Sequence, residues 1–159
     1  MLFRSLGYVD RPPEGQIDTW YSAQGEVIRL QNGRIVATSG LETDWRAVRN
    51  EAPPAWKELT AGAPKAFYQR ERDEMPGYRF GIAERISVYP VRAPFNSKIE
   101  GIPAQNLRWF EEAVVGQKDG LPSARFALQI KGDDIRVIYG EQCLSPELCI
   151  AWQPWPVAK

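Results

Sequence analysis

Short stretches in which apolar and polar residues alternate follow one another along the chain, separated by turn-forming residues. The clearest are Thr19–Ser22, Glu26–Leu30 and Arg34–Thr38, which are separated by Ala23–Gly25 and Gln31–Gly33. Alternation with a period of two is typical of strands. An Asn-Gly pair suits a type I′ hairpin because both central residues of that turn need a positive φ. The pattern predicts a three-stranded antiparallel meander.

The third strand of this meander carries bulky or long side chains on both faces. Ile35 and Ala37 point one way, while Arg34, Val36 and Thr38 point the other. A strand with only one covered face would show a cleaner alternation of apolar and polar residues. We therefore expect the sheet to be covered on both sides.

The rest of the chain repeats the strand pattern with brief interruptions. A turn is predicted at Met75–Gly77 and another at Lys131–Asp134. Asp44 is placed to cap a short helix over residues 45–49, and a second short helical turn is predicted around Lys57–Leu59. The further predicted strands are Phe67–Arg72, Tyr78–Ile82, Arg85–Tyr89, Leu107–Val115, Ala124–Ile130 and Ile135–Tyr139. A helix is the alternative over 107–115, but its aromatic and β-branched residues favour a strand.

Together these elements predict an all-β fold with minor α content: antiparallel bent sheets forming a sandwich or half-barrel, with one or two short helices. The length of 159 residues suits one domain. We expect residues 1–15 to be an irregular or artefactual N-terminal segment and residues 16–159 to form a single β-rich domain. Residues 1–5 resemble translated adapter DNA joined to a truncated reading frame, so we expect an export signal to be missing.

Composition narrows the chemistry that the chain can support. Lys plus Arg and Asp plus Glu balance at 20 each, and histidine is absent. Without a basic patch, nucleic acid is not an expected partner. The absence of histidine removes Ser-His-Asp and Cys-His nucleophile pairs and zinc sites that depend on histidine. The glycine spacing matches no phosphate-binding loop, so we predict no cofactor and no metal site.

With histidine absent, pairs of carboxylates are the remaining candidates for acid–base catalysis. The candidates for two-carboxylate glycoside hydrolysis are Asp44, Glu71, Asp73, Glu111 and Glu112. Several alternate with arginines, as expected for cross-strand ion pairs. We therefore predict no catalytic residue and no enzyme, and glycan hydrolysis stays the third hypothesis.

Cys143 and Cys149 enclose five residues. A local disulfide would contribute about 2 kcal/mol and would need an oxidising compartment such as the periplasm. Two unpaired thiols in a cytosolic protein are the alternative.

Aromatic side chains are the remaining candidates for a binding surface. They could stack on sugar rings or line a groove for an acyl chain or a partner peptide. Core packing is the alternative for most of them, while Trp152 and Trp155 on the Pro-rich tail are expected to be exposed or to seal a sheet edge. The candidates are Trp20, Tyr21, Tyr78, Trp109, Trp152 and Trp155.

The region from Trp20 to Asp44 has the form WYSAxGxxIxLxNGRIVxTxGLxxD. It resembles the opening signature of the YjbF/GfcB family of exopolysaccharide and group 4 capsule lipoproteins. Weaker matches are RDxxPGY at 72–78, WFE at 109–111, and Gln142 followed by Pro146. The resemblance covers nearly the whole chain after residue 16, and its C-terminal part fits only loosely.

The resemblance implies an all-β fold, a lipid anchor in the outer membrane and a role in polysaccharide export. No family catalytic residue can be carried over, and the signal peptide and lipobox cysteine of the family are absent from this chain. We expect a non-catalytic periplasmic accessory whose partners are envelope export proteins and, in addition, polysaccharide. Its contact with a membrane would be only through that anchor. A lipid- or saccharide-binding β module is the alternative.

Overall fold

The computed structural model describes residues 2–3, 5–116 and 120–154, which form two β-sheets, a short helix and a 3₁₀ turn. The helix α1 spans Trp56–Thr60, and the 3₁₀ turn spans Ala104–Asn106. The strands in chain order are β1 Leu2–Phe3, β2 Ser5–Asp10, β3 Ile17–Tyr21, β4 Val27–Gln31, β5 Arg34–Ser39, β6 Asp44–Glu51, β7 Ala66–Met75, β8 Arg79–Val91, β9 Arg108–Val114, β10 Ala124–Lys131, β11 Asp134–Cys143 and β12 Cys149–Trp152. The prediction of a mostly antiparallel β fold is confirmed.

The larger sheet has eight strands in the order β1-β12-β11-β10-β9-β8-β7-β6 and curls into a half-barrel. The smaller sheet has four strands in the order β2-β3-β4-β5. Apart from the parallel pair β1–β12, the described neighbours are antiparallel. Because most neighbours are also consecutive in the chain, short turns are enough to build this topology.

The predicted meander is present as β3, β4 and β5. Asn32 and Gly33 have φ values of 51° and 80°, as the hairpin turn requires. Arg34 and Ile35 follow directly and point to opposite faces, yet both are buried. The small sheet is therefore covered on both sides at this point, as expected.

The helix predicted over residues 45–49 is wrong, because these residues lie in β6. Trp45 and Val48 are both buried three positions apart, a spacing that imitates a helix. It arises from a β-bulge between Trp45 and Ala47 in the pairing of β6 with β7. The Asp44 carboxylate, instead of capping a helix, accepts hydrogen bonds from Thr38 Oγ1 at 2.8 Å and from the Gly40 amide at 3.0 Å.

The expectation of an irregular segment over residues 1–15 is wrong for residues 5–10. They form the edge strand β2, which pairs with β3, and residues 5–8 are exposed. An exposed edge strand buries little side-chain surface, so its sequence need not alternate between apolar and polar residues. Gly7 permits the ring of Tyr21 to lie across it, since a Cβ there would approach that ring to 2.1 Å.

Among the described residues, apolar side chains pack in three clusters. One cluster joins the small sheet to the β12 end of the large sheet and contains Trp20, Ile35 and Trp152. A second fills the half-barrel, where α1 inserts Trp56 and Leu59. A third lies on the outer face, where the irregular chain after β8 covers it. Both faces of the large sheet are therefore partly covered, and the two sheets meet near the Asn32–Gly33 turn.

That meeting point yields a testable prediction. A Cβ at Gly33 would lie 2.8 Å from Val137 on β11, whereas a Cβ at Gly25 would meet nothing within 4 Å. Both glycines have positive φ, 80° and 89°. In urea denaturation, Gly33→Ala should lower the free energy of unfolding by about 2–3 kcal/mol and Gly25→Ala by about 1 kcal/mol. Equal losses would mean that the turn does not approach β11.

Candidate functional site

A cleft of about 770 Å³ lies where the small sheet meets β11 and β12. Three tryptophans, one from each neighbouring element, line it, so we call it the tryptophan cleft. Trp20 comes from β3, Trp56 from α1 and Trp152 from β12. Polar side chains also line it: Arg11, Gln16, Asp18, Asn32 and Arg136. The cleft thus combines an apolar floor with a polar rim, as small-molecule sites commonly do.

The three tryptophans are held firmly in place. Trp20 and Trp152 are 3% and 4% exposed, and their ring centroids lie 5.5 Å apart. The indole N–H of Trp56 donates to the carbonyl of Asn32 at 2.8 Å, which ties α1 to the hairpin turn. The tryptophan walls of the cleft are therefore fixed by packing, whereas Arg11 and Gln16 come from the loop between β2 and β3.

A second cleft of about 390 Å³ adjoins the first. The two share Asn32, Trp56 and Ile135 in their walls. We call the second one the arginine cleft because Arg34 lines it, together with Lys57. An extended ligand could span both clefts across the shared wall.

Arg34 belongs to a buried ion pair at the centre of the fold. Its Nε lies 2.6 Å from a carboxylate oxygen of Glu112 on β9, and both side chains are almost fully buried. The other oxygen of Glu112 accepts a hydrogen bond from the Tyr68 hydroxyl at 2.8 Å. Burial and the charge of Glu112 raise the pKa of Tyr68, so this hydroxyl stays protonated. The Arg34 guanidinium also lies 4.2 Å from the ring centroid of Trp56.

A second buried ion pair lies beside the first inside the half-barrel. Glu84 on β8 accepts from Arg70 at 2.6 Å and from Arg72 at 3.0 Å, and its side chain is 0% exposed. Burial alone would raise the pKa of Glu84, but the two guanidinium groups outweigh burial and lower it. Both arginines also lie over the ring of Trp45. Glu84 is therefore a fixed anion between two cations.

Three residues that line the clefts carry a fully buried side-chain N–H donor with no hydrogen-bond partner among the described residues. They are Trp20 and Trp152 (Nε1) in the walls of the tryptophan cleft and Arg34 (Nη2) in the wall of the arginine cleft. Nε1 of Trp152 lies against Gly140, where a Cβ would come within 2.4 Å of it. Buried polar groups usually have partners, so each exception needs an explanation.

The five carboxylates considered for catalysis each hold a structural partner and do not converge on either cleft. Asp44 closes the turn before β6, as described above. Glu71 pairs with Arg49 on the surface. Asp73 accepts from the Gly81 amide at 2.9 Å, and Glu111 accepts from the Tyr89 hydroxyl at 3.1 Å. Glu112 binds Arg34 in the core, so it serves the fold.

The candidate surface aromatics fall into three groups. Tyr21 and Tyr78 are exposed, at 42% and 75%. Trp20, Trp109 and Trp152 are buried, at 2–4% exposed, and Trp20 and Trp152 line the tryptophan cleft. Their large apolar area is more stable inside the fold, and for Trp109 the carbonyl of Ala104 accepts the indole N–H at 2.8 Å. Trp155 lies outside the described residues.

Sequence reasoning missed Arg34 and Trp56 as residues of the clefts. A usable signal for Arg34 was its place directly after the Asn-Gly turn, on the second covered face of a strand. Trp56 sits among prolines in an irregular stretch, and its sequence gives no periodic signal.

The structure joins Cys143 and Cys149 in a disulfide. These residues are direct partners where β11 and β12 pair. Over residues 2–3, 5–116 and 120–154, no group of three or more His, Cys, Asp or Glu side chains is arranged to hold a metal ion. None of the helices among them is long and apolar enough to cross a membrane.

Comparisons with known proteins agree with this geometry. A crystal structure of the hypothetical lipoprotein YmcC from Escherichia coli K12 superposes with a TM-score of 0.59 at 17% identity, covering 91% of this chain and 71% of that one. This likeness shows a shared fold. No curated protein matches the sequence. The family model described as group 4 capsule polysaccharide lipoprotein GfcB, YjbF matches residues 5–150. The chain therefore belongs to the YjbF family of capsule polysaccharide lipoproteins.

Proposed function

We propose that this protein is a non-catalytic accessory of exopolysaccharide or group 4 capsule export. It would face the periplasm and be anchored to the outer membrane by a lipid. The observation that carries the proposal is the family match over residues 5–150, because the family is described as a lipoprotein of group 4 capsule polysaccharide. Its partners would be other envelope proteins of the export machinery, and the polysaccharide itself.

The surroundings of the buried carboxylates support a role without catalysis. A glycoside hydrolase of the two-carboxylate type needs one carboxyl that holds its proton near neutral pH. Glu84 is held in the opposite state, because Arg70 and Arg72 lower its pKa. Glu112 is occupied by Arg34 and Tyr68. Neither carboxylate is free to protonate a glycosidic oxygen.

The tryptophan cleft favours a second candidate function, a saccharide- or lipid-binding module. This candidate is compatible with the first, because an accessory of export can act by holding the exported chain. The observation that favours it is the apolar floor with a polar rim in a cleft of about 770 Å³.

Deleting the gene in a host that makes the polysaccharide tests the proposal. Surface polysaccharide should fall, and material should accumulate in the periplasm, when the gene is removed. Complementation with folded Glu111→Gln or Glu71→Gln variants should restore export fully, since neither carboxylate has a chemical role. Unchanged surface polysaccharide after deletion would contradict the proposal. If either folded variant failed to restore export, the result would support glycan hydrolysis instead.

If Glu84 has a structural role, replacing it should lower the stability of the protein much more than replacing a glutamate in an exposed ion pair. Glu84→Gln should lower the free energy of unfolding by about 3 kcal/mol at neutral pH, because it leaves two buried cations uncompensated. Glu71→Gln breaks an exposed pair with Arg49, so it should cost less than about 1 kcal/mol. Urea denaturation of both variants measures the difference, and similar values would contradict the assigned roles.

The effect of Glu84 should also depend on pH in a defined direction. Its folded pKa lies below the unfolded value of 4.5. Its contribution is therefore complete above about pH 4.5 and is lost as the pH falls through the folded pKa. The stability gap between wild type and Glu84→Gln should narrow as the pH falls below that value. A gap that widens in acid would mean that Glu84 is not a stabilising anion.

The disulfide supports a periplasmic location, because such bonds persist in oxidising compartments. Protein purified from the periplasm should therefore incorporate no alkylating label before reduction and two labels after it. Replacing both Cys143 and Cys149 with serine should lower the free energy of unfolding by about 2 kcal/mol. Free thiols in periplasmic material would contradict the pairing.

A further inference from the structure

The hairpin formed by β7 and β8 extends beyond its neighbour β9. Strand β8 begins at Arg79, whereas its described pairing with β9 begins at Ile86. Residues 79–84 therefore pair with β7 but have no described partner strand on their other side. The motif RDxxPGY over residues 72–78 leads into the end of this hairpin, and the function proposed above gives it no role. We call residues 75–81 the hairpin tip.

Polar side chains of the hairpin hold the tip in one shape. The Asp73 carboxylate accepts a hydrogen bond from the Gly81 amide at 2.9 Å. Glu74 accepts from Arg79 at 3.1 Å and also pairs with Arg72. These contacts join β7 to β8 on both sides of the turn, so the tip is a braced structure.

The braced tip presents two aromatic side chains to solvent. Tyr78 and Phe80 are 75% and 60% exposed, and their rings meet edge to edge-on face with centroids 6.2 Å apart. Tyr78 also has a φ of 53°, which is uncommon and costly for a bulky residue. Backbone outliers of this kind concentrate at functional positions. Exposed apolar side chains held in this way indicate a contact surface.

The charge that accompanies the two rings is positive on its exposed side. Arg79 lies between them in the sequence and its side chain is 62% exposed, whereas that of its partner Glu74 is 14% exposed. Asp73 is engaged by the Gly81 amide. The tip therefore offers two rings and a guanidinium, which fits a surface that is apolar beneath a layer of anionic groups.

The size of the tip favours a bilayer over a protein partner. A stable protein interface buries about 1,200–2,000 Å² and involves about 20–30 residues on each side. Next to the tip, β7 carries Glu71 in an exposed ion pair with Arg49, so the apolar surface does not continue there. A bilayer needs only a few inserted side chains when a second attachment holds the protein.

The start of the described chain lies at the same end of the half-barrel. β6 begins at Asp44, which pairs with Met75 in the tip. The next residue, Trp45, donates to the carbonyl of Leu144 in the turn between β11 and β12. Because β1 runs parallel to β12, Leu2 is the end of β1 nearer that turn. A lipid anchor ahead of Leu2, as the proposed function supposes, would leave the fold at the end that carries the tip.

We propose that the hairpin tip inserts into the headgroup region of a phospholipid bilayer. The Phe80 ring enters the boundary of the acyl chains, the Tyr78 hydroxyl stays among the headgroups, and the Arg79 guanidinium binds phosphate. This contact acts together with the lipid anchor, and it extends the sequence-based expectation of contact through that anchor alone. The inference rests on the proposed function for the anchor, whereas its vesicle test replaces the anchor with an artificial tether.

Quenching by brominated lipid tests where the tip lies. The full chain with an N-terminal hexahistidine tag is tethered to vesicles of phosphatidylethanolamine and phosphatidylglycerol that contain nickel-chelating and brominated lipids. Tyr78→Trp places a fluorophore in the tip, and Phe95→Trp places one at an exposed position on the segment after β8. Relative to wild type, the added fluorescence of Tyr78→Trp should fall by about half, and that of Phe95→Trp should not change. Equal quenching of the two, or quenching of neither, overturns the inference.

A matched pair of double variants tests the contribution of the rings. One combines Tyr78→Ser with Phe80→Ser, and the other combines Tyr8→Ser with Phe95→Ser, which removes a tyrosine and a phenylalanine that are 59% and 106% exposed. All four side chains are exposed, so both variants should keep the urea midpoint of wild type. On vesicles with sparse nickel-chelating lipid, the tip variant should dissociate about tenfold faster than wild type, and the control should match wild type. Equal rates for wild type and the tip variant overturn the inference.

The failures of the two proposals are distinguishable. If Tyr78→Trp is not quenched and gene deletion still lowers surface polysaccharide, the membrane contact is wrong and the export role stands. If Tyr78→Trp is quenched and deletion leaves surface polysaccharide unchanged, the export role is wrong and the membrane contact stands. If the tip variant lowers surface polysaccharide in cells but Tyr78→Trp is not quenched on vesicles, the tip contacts a protein and the bilayer is overturned as its partner.

Discussion

The ion pair between Arg34 and Glu112 joins the end of the small sheet to the middle of the large one. Arg34 begins the last strand of the small sheet, and Glu112 lies on the inner face of β9 in the middle of the large one. The Asn32–Gly33 turn must deliver Arg34 into the half-barrel, and the indole of Trp56 then covers the guanidinium. Removing either charge would leave the other buried without compensation, which is a severe loss.

This arrangement explains why the half-barrel has a charged interior. Apolar side chains of similar volume could give comparable stability, so the charges are better understood as fixing geometry. Arg34 has partners on β9 and contacts α1, and Glu84 holds two residues of β7. The hydrogen bonds of each ion pair form only when its two strands lie in one relative position. An apolar contact, in contrast, tolerates a shift of one strand along the other. The Arg34–Glu112 pair therefore fixes the position of the small sheet against β9, while the Glu84 group fixes β7 against β8 within the large sheet.

The sequence predicts those parts of the structure that neighbouring residues determine without help from distant ones. Turn chemistry predicted the Asn32–Gly33 hairpin, because the φ requirement depends on two adjacent residues. The helix over residues 45–49 failed because a β-bulge placed Trp45 and Val48 on one face with helical spacing. Strand β2 was missed because an exposed edge needs no apolar pattern. The family resemblance led to the function proposed above, and the family match confirms that family.

The candidate site was harder to predict, because burial is decided by the whole fold. Trp20, Trp109 and Trp152 were considered for the surface from residue type alone, and tertiary packing buries them. The sequence places Arg34 on the second covered face of its strand. It does not predict that Arg34 pairs with a glutamate 78 positions away. The clefts exist only because elements distant in sequence meet around Asn32, Trp56 and Ile135. No local sequence pattern predicts that these elements come together.

The same junction that stabilises the fold also creates the space beside it. Gly33 brings the hairpin against Val137, and Trp56 is fixed to the Asn32 carbonyl, so the cleft walls cannot close without breaking these contacts. A rigid cleft loses little conformational freedom when a ligand enters, so weak individual hydrogen bonds can still give useful affinity.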